Sequence, residues 1–449
     1  KIFHYIIFLG DRSNMTKIIK KLSRNLSTLQ PYQVIILGFL FYASVGVLLI
    51  SMPFAQKQSV GIIDNLFNVV SAMSTTGLTT GAISELYTPF GKLILLGLIQ
   101  LGAIGYMTIT SFFILSSGSR LPVNRTKILS AEFPLPEGFN IKQFVVNIII
   151  YTLVIELIGT TLLTLEFNSL GLEKPLWSGF FHSISAFSTA GFSIYGNGLE
   201  NFKDNTSINL IIAFLCYAGA IGFIIPMDIY RKIKGYSKEI TFTTKVILTI
   251  TFLIATAGTF LYMAGNNTTL LSAFFQVMSA STTAGFNTVP LGNLPCSALL
   301  VLIIAMVIGA SPSGTGGGIK TTSISALAGV VSSIIKGQPQ NVSFLKRTIP
   351  TYRVFTAVAA STVYVSTLLI GIYLLTLTEA FDFISLSFEA ASALGTVGLS
   401  MGITPTITPL GKIILTCLMF LGRVGPLTIG IAFFKKDSRI VSCKTDLAT

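Results

Sequence analysis

Long and short apolar runs alternate along this chain. Tyr32–Met52 is predominantly apolar and stops at Pro53. That length suffices to cross a bilayer, because a helix rising about 1.5 Å per residue needs roughly 20 residues for about 30 Å of hydrocarbon. Gly61–Met73 is apolar but too short to cross, so Ser74–Gly81 must return to the side of entry, and Lys92–Leu115 then spans. Backbone that enters and returns is tolerated only when buried in protein or lining a watery path. The alternation recurs with Lys142–Leu165, the short run Leu176–Phe187, the return Ser188–Ser193 and the long run Ser207–Met227. It recurs again with Thr243–Met263, Leu270–Ser281 and the return Thr282–Thr288. The last long run of that set is divided, Ser297–Ile308 and Thr321–Ile335 flanking a Ser/Gly-rich stretch. Thr351–Leu377, Phe381–Leu394, a return and Lys412–Phe434 complete the chain.

The short runs end alike. Phe67, Phe181, Phe275 and Phe388 are each followed by a Ser four residues on and a Gly ten residues on. The endings read Thr75-Thr76-Gly77-Leu78, Thr189-Ala190-Gly191-Phe192, Thr283-Ala284-Gly285-Phe286 and Thr396-Val397-Gly398-Leu399. The pattern predicts an all-α integral membrane protein of four pseudo-symmetric helix–half-helix–helix repeats around one central pore. Eight helices would span and four would re-enter. The expected divisions are a basic arm over 1–31, repeats over 32–118, 119–230, 231–340 and 341–436, and a tail over 437–449.

Composition agrees with that plan: 51% of the 449 residues are hydrophobic, 10% are charged and the mean hydropathy is +0.77. A soluble domain carries about a quarter charged residues. The net charge of +13 would suit a nucleic acid, but its placement argues against one. Of 30 Lys and Arg, all but Lys57, Lys92, Lys174, Lys203, Lys412, Lys320 and Arg423 fall in the arm, the tail and the loops near 116–142, 229–245 and 336–353. A bias that alternates loop by loop is the positive-inside pattern and predicts both termini in the cytoplasm. A basic soluble surface would not alternate so. Cys216, Cys296, Cys417 and Cys443 are isolated and form no metal or redox motif. Lys1–Gly10 is too short an apolar patch for a signal peptide.

The chemistry expected of four such returns is cation coordination. A half-helix ending near mid-membrane presents the negative end of its dipole there. A following Thr-x-Gly turn, with glycine supplying backbone angles closed to other residues, adds carbonyl oxygens. Four of them around one axis can replace the hydration shell of a monovalent cation. Helix packing by small residues would account for one such glycine but not for four at one offset.

The stretch Gly309-Ala310-Ser311-Pro312-Ser313-Gly314-Thr315-Gly316-Gly317-Gly318-Ile319-Lys320 is not a phosphate-binding loop, because Ile319 separates Gly318 from Lys320. Its place inside a spanning run, below the expected filter, and the charge of Lys320 predict a gate instead of a passive kink. Arg423, within Gly422-Arg423-Val424-Gly425, occupies the place of Ala103, Ala220 and Ala310. It is expected to face the pore or loop, where it would shorten a second ion's residence and hold the loop by its carbonyls. Glu156 is expected to make structural hydrogen bonds; Glu389 is a second buried acid. His4 and His182 suggest no metal site, and no carboxylate pair or Ser/His/Asp set points to an enzyme.

These residues together resemble the TrkH/KtrB/HKT superfamily of potassium transporters, most closely its KtrB branch. The likeness rests on Thr283-Ala284-Gly285-Phe286-Asn287, Gly314 to Lys320, Gly395-Thr396-Val397-Gly398-Leu399 and Gly422-Arg423-Val424-Gly425-Pro426-Leu427-Thr428, and covers the chain from about Pro31 onward. The resemblance implies a K+ uptake subunit of a bacterial plasma membrane, a homodimer in lipid with one pore per chain. It implies cytosolic nucleotide-binding regulatory subunits on the basic face, filter glycines at Gly77, Gly191, Gly285 and Gly398, and no organic cofactor. Members commonly carry Arg where this chain has Thr282, and Asn-Asn where it has Ser188 and Thr189. Sodium dependence therefore stays open, and transport of Na+ or ammonium on the same scaffold is the alternative.

Overall fold

The computed structural model describes residues 31–116, 121, 126, 129 and 140–434. The expected arm, nearly all of the loop near 116–142 and the tail lie outside the described residues. The described chain is mostly helical. Among the described residues four helices are long and apolar enough to cross a membrane: Tyr32–Ile50, Ile141–Ser169, Phe242–Gly265 and Thr351–Thr378. Side-chain caps start several segments. Asn140 accepts from Lys142 N–H, Thr241 from Thr244 N–H and Asp382 from Ser385 N–H, each satisfying an otherwise orphaned donor.

The four short runs are helices at Ile62–Met73, Pro175–Phe187, Leu270–Ser281 and Phe383–Gly395. Phe67, Phe181, Phe275 and Phe388 are fully buried, while Ile62, Leu176, Leu270 and Phe383 near the helix starts stay exposed. Each packs against the segment that follows it: Pro89–Ile104, Thr206–Ala220, Cys296–Val307 and Pro409–Val424 respectively. Each also packs against the corresponding segment of the preceding unit, and the first short helix packs against Pro409–Val424 of the last. The chain thereby closes on itself in the order one, two, three, four, one.

An ion pair marks the seam, Lys412 Nζ lying 2.7 Å from Asp64 Oδ1 with 13% and 31% of the two side chains exposed. Lys412→Met leaves Asp64 without its partner and is expected to lower the thermal midpoint of the purified protein. Removing one member of a partly buried pair costs more than removing both, so adding Asp64→Asn should recover part of the loss. Equal midpoints for wild type and Lys412→Met would show that the pair does not hold the seam.

Three expected straight spans are broken instead. Lys92–Leu115 becomes Pro89–Ile104 and Tyr106–Ser116, Ser207–Met227 becomes Thr206–Ala220 and Ile224–Ile233, and Lys412–Phe434 becomes Pro409–Val424 and Pro426–Phe434. The pairs bend by 87°, 86° and 82°. Gly105, Gly222 and Gly425 stand at the breaks with φ of 85°, 86° and 90°, a region a helix cannot continue through. The third unit widens the same break into the loop between Val307 and Thr321. A small hairpin, Ser343–Phe344 with Arg347–Thr348, was not foreseen; its turn puts Leu345 and Lys346 at positive φ without the usual Asn-Gly signature.

Candidate ion pathway

The end of each short helix is built by one repeated set of backbone bonds. Thr75 N–H donates to Ala72 O at 3.1 Å and Thr76 N–H to Ser71 O at 2.8 Å. The same pair recurs at Thr189 and Ala190, at Thr283 and Ala284, and at Thr396 and Val397. These bonds satisfy carbonyls that a helix end would otherwise orphan. They also require the threonine to turn left-handed: φ is 54° at Thr75, 50° at Thr189, 56° at Thr283 and 51° at Thr396. A β-branched residue there is an outlier costing about 1–2 kcal/mol. Four identical outliers at one site are a feature of the site, since such strain persists only where surrounding structure dictates it. The sequence pointed to glycine as the special backbone position and missed the threonine.

The recurring Ser braces the next residue in two units. Gly77 N–H donates to Ser71 Oγ at 3.1 Å and Gly398 N–H to Ser392 Oγ at 3.0 Å. In the second unit Ser185 Oγ donates to Phe192 O at 2.8 Å. Backbone donors are thus turned toward the short helices. No donor among the described residues meets the carbonyl oxygens of Thr76, Ala190, Ala284 or Val397.

Those four carbonyls meet the four glycines in a closed ring. A Cβ added at Gly77 would lie under 3.0 Å from Ala190 O, one at Gly191 from Ala284 O, one at Gly285 from Val397 O and one at Gly398 from Thr76 O. The glycines have φ of 101°, 66°, 79° and 95°. Both the backbone angle and the close approach therefore exclude a side chain. Outside the ring opens a cavity of about 480 Å³ lined by all four glycines, Leu78, Phe192, Asn287, Ser400 and Glu200. Phe286 and Leu399 are buried behind it.

Beneath the ring lies the Gly309–Lys320 stretch. Thr75 Oγ1 donates to Thr315 O at 3.2 Å, Thr189 Oγ1 lies 3.0 Å from Thr315 Oγ1, and Gly317 N–H donates to Thr283 Oγ1 at 3.1 Å. A Cβ on Gly317 would collide with Thr396 Oγ1. The loop thus touches the threonine of every unit. Its far side is tied to the break in the second unit: Ser311 Oγ donates to Ala220 O at 2.9 Å and Thr315 N–H to Gly219 O at 3.2 Å. Gly309 and Gly318 pack against each other, Ser313 turns at φ 60°, and Gly314 sits over Ala220 and Gly316 beside Thr283. Lys320 Nζ folds back onto Gly316 O at 2.7 Å.

Arg423 completes the site from the opposite side. Its guanidinium donates to Thr315 O in the loop, to Gly102 O in the first unit, and to Thr75 Oγ1 at 3.1 Å. One side chain thus joins the loop, the ring's inner edge and the break of the neighbouring unit. Arg423 and Lys320 both line an inner cavity of about 470 Å³ with Tyr32, Phe39 and Tyr364. Glu156 lies elsewhere, accepting from Gln100 Nε2 at 2.7 Å, as its structural reading anticipated. Among the described residues no three His, Cys, Asp or Glu side chains cluster to hold a metal.

The fold and the sequence have known counterparts. The solved potassium transporter TrkH of Vibrio parahaemolyticus has the same fold, with a TM-score of 0.70 over 90% of this chain and 84% of that one at 20% identity. The Ktr system potassium uptake protein B of Bacillus subtilis is 32% identical over 91% of this chain and 94% of its own length. The potassium/sodium uptake protein NtpJ of Enterococcus hirae is 31% identical over 95% and 97%. The sequence model of the TrkH family, described as cation transport protein, matches residues 19–272 and 240–441. Those matches run through all four Thr-x-Gly turns, the loop and Arg423. The chain belongs to the TrkH family of multi-pass membrane cation transport proteins.

Proposed function

We propose that this chain is the ion-translocating subunit of a K+ uptake system. One observation carries the reading: four left-handed Thr-x-Gly turns close a ring in which each glycine meets the next unit's carbonyl. Carbonyl dipoles held at such spacing substitute for the water around a dehydrated cation. Their amides are bonded backward, so the oxygens are left to the ion. The names of the relatives support K+ as the cargo. Inward movement is driven by the membrane potential, about 2.3 kcal/mol per charge per 100 mV.

The filter in this reading comprises Thr75 to Leu78, Thr189 to Phe192, Thr283 to Phe286 and Thr396 to Leu399. Gly309 to Lys320 is its gate, in a closed position, and Arg423 is the latch. Eight spans and four re-entrant half-helices follow if the three bent pairs and the divided third run each count as one crossing. The basic loops then face the cytoplasm with both termini. Glu239 lies 3.5 Å from Lys245 and 3.7 Å from Arg347, joining two of those loops into one basic face. That face suits a ring of cytosolic nucleotide-binding subunits, and the Ktr names of the relatives support a multi-subunit system; in this reading the chain itself is a homodimer.

The experiment is expression in a bacterial strain lacking its own K+ uptake systems. Growth restored at low K+ supports the reading, and no growth despite membrane-inserted protein argues against it. A second reading, Na+ as cargo, is favoured by the relative named for both ions. Glu200 is the one charged residue lining the outer cavity among the described residues. Its charge should gather cations at the mouth. Glu200→Gln is therefore expected to raise the half-saturating Rb+ concentration about twofold to threefold at low salt, less at high salt. A shift independent of salt would assign Glu200 another role.

A further inference from the structure

One position of the fourfold pattern is polar in every copy and unexplained by the carbonyl ring. It is the residue directly after the Phe: Asn68, His182, Gln276 and Glu389. All four are completely buried, where an unpaired polar group costs about 1–3 kcal/mol. Each directs a hydrogen bond to the segment leaving the ring on its outer side. Asn68 Nδ2 donates to Thr80 Oγ1 at 3.1 Å, and Asn68 Oδ1 accepts from Thr80 N–H at 3.2 Å. His182 Nδ1 lies 2.8 Å from Ser178 O, which accepts only, so Nδ1 carries the proton and Nε2 accepts from Ser193 Oγ at 3.0 Å. Gln276 Nε2 donates to Thr288 Oγ1 at 2.9 Å. Glu389 accepts from Ser400 Oγ at 2.6 Å, Met401 N–H at 3.0 Å and Thr404 Oγ1 at 2.9 Å.

Side-chain identity differs in all four, yet the geometry repeats. A hydroxyl partner stands two residues past the ring glycine at Ser193 and Ser400, and three past it at Thr80 and Thr288. The inner end of each Thr-x-Gly turn is already held by the backbone bond to Ser71, Ser185, Ser279 or Ser392. The polar residue lies three positions earlier, about one turn toward the outside. Each turn is therefore tied to its helix at both ends.

We propose that Asn68, His182, Gln276 and Glu389 form a second ring of positioning residues, and that these ties set how strictly the carbonyl ring separates K+ from Na+. The inference rests on the filter reading above. A smaller cation is coordinated well only if the oxygens move inward. Ties at both ends of the turn resist that movement, and cutting the outer one lets the oxygens follow Na+.

The test uses the full chain in liposomes, measuring radioactive Rb+ and Na+ uptake. Gln276→Met, similar in size but without the donor, is expected to lower the Rb+/Na+ ratio about fivefold, the worth of one hydrogen bond of about 1 kcal/mol. Gln276→Glu should restore most of it, because Thr288 can then donate to the carboxylate as Ser400 does to Glu389. Thr288→Val cuts the same tie from the other side and decides the matter if Gln276→Met does not fold. Unchanged ratios in both variants, beside a lowered ratio in Gly398→Ser, overturn the second ring and leave the carbonyl ring standing. An unchanged ratio in Gly398→Ser as well removes the carbonyl ring and this inference together.

Discussion

Gly398→Ser is expected to collapse the discrimination between K+ and Na+ by at least about tenfold, a change of about 1.4 kcal/mol in relative barrier, while the protein still reaches the membrane. Two effects act at once. The residue holds φ at 95°, where any side chain is strained. The new Cβ would collide with Thr76 O across the seam between the last and first units. The carbonyl of Thr76, one of the four that meet the ring glycines, must move. The helix behind is unaffected, because Val397 N–H and Ser392 O keep their bond. Rb+ and Na+ flux into liposomes checks the result, and an unaltered ratio would remove Gly398 from the filter.

Deleting Gly314 to Gly318 is expected to raise unregulated flux about tenfold or more, the effect of about 1.4 kcal/mol or more taken from the closed state. The segment supplies the contacts of Thr315 to Thr75 and Thr189, of Gly317 to Thr283, and the acceptor for Arg423. In the gate reading, those bonds hold the loop across the path directly below the ring. Arg423→Met removes the latch alone and should raise flux by a smaller factor in the same direction. An arginine at mid-depth in a membrane costs about 2.5–3.5 kcal/mol, so the half-buried Arg423 calls for a specific partner such as Thr315 O. Flux that fell or stayed level after the deletion would show that the loop supports the pathway without closing it.

The half-helices were legible because their length, too short to span, and the fixed Phe-to-Gly offset both survive in the bare sequence. The loop was legible because Ser and Gly interrupt an apolar run. The breaks at Gly105, Gly222 and Gly425 were not, since hydropathy continues unbroken through Ile104 to Thr110 or Val424 to Phe434. The available signal was a glycine three residues after Gly102, Gly219 and Gly422. The left-handed threonines were hidden because threonine gives no warning of positive φ. What the loop and Arg423 touch was hidden for another reason. Thr75 and Thr315 lie 240 residues apart, and only closure of the ring brings them together. The polar residue after each Phe was visible in all four copies, but its meaning needed the hydroxyl partners on the outer side.

A ring of four Thr-x-Gly turns that serves as a K+ filter must pass K+ in preference to Na+. The most direct measurement is the ratio of Rb+ to Na+ flux through the purified chain in liposomes under one imposed membrane potential. Rb+ flux is expected well above Na+ flux, with K+ competing against Rb+ uptake more strongly than Na+ does. Equal fluxes, with K+ and Na+ competing alike, would contradict it.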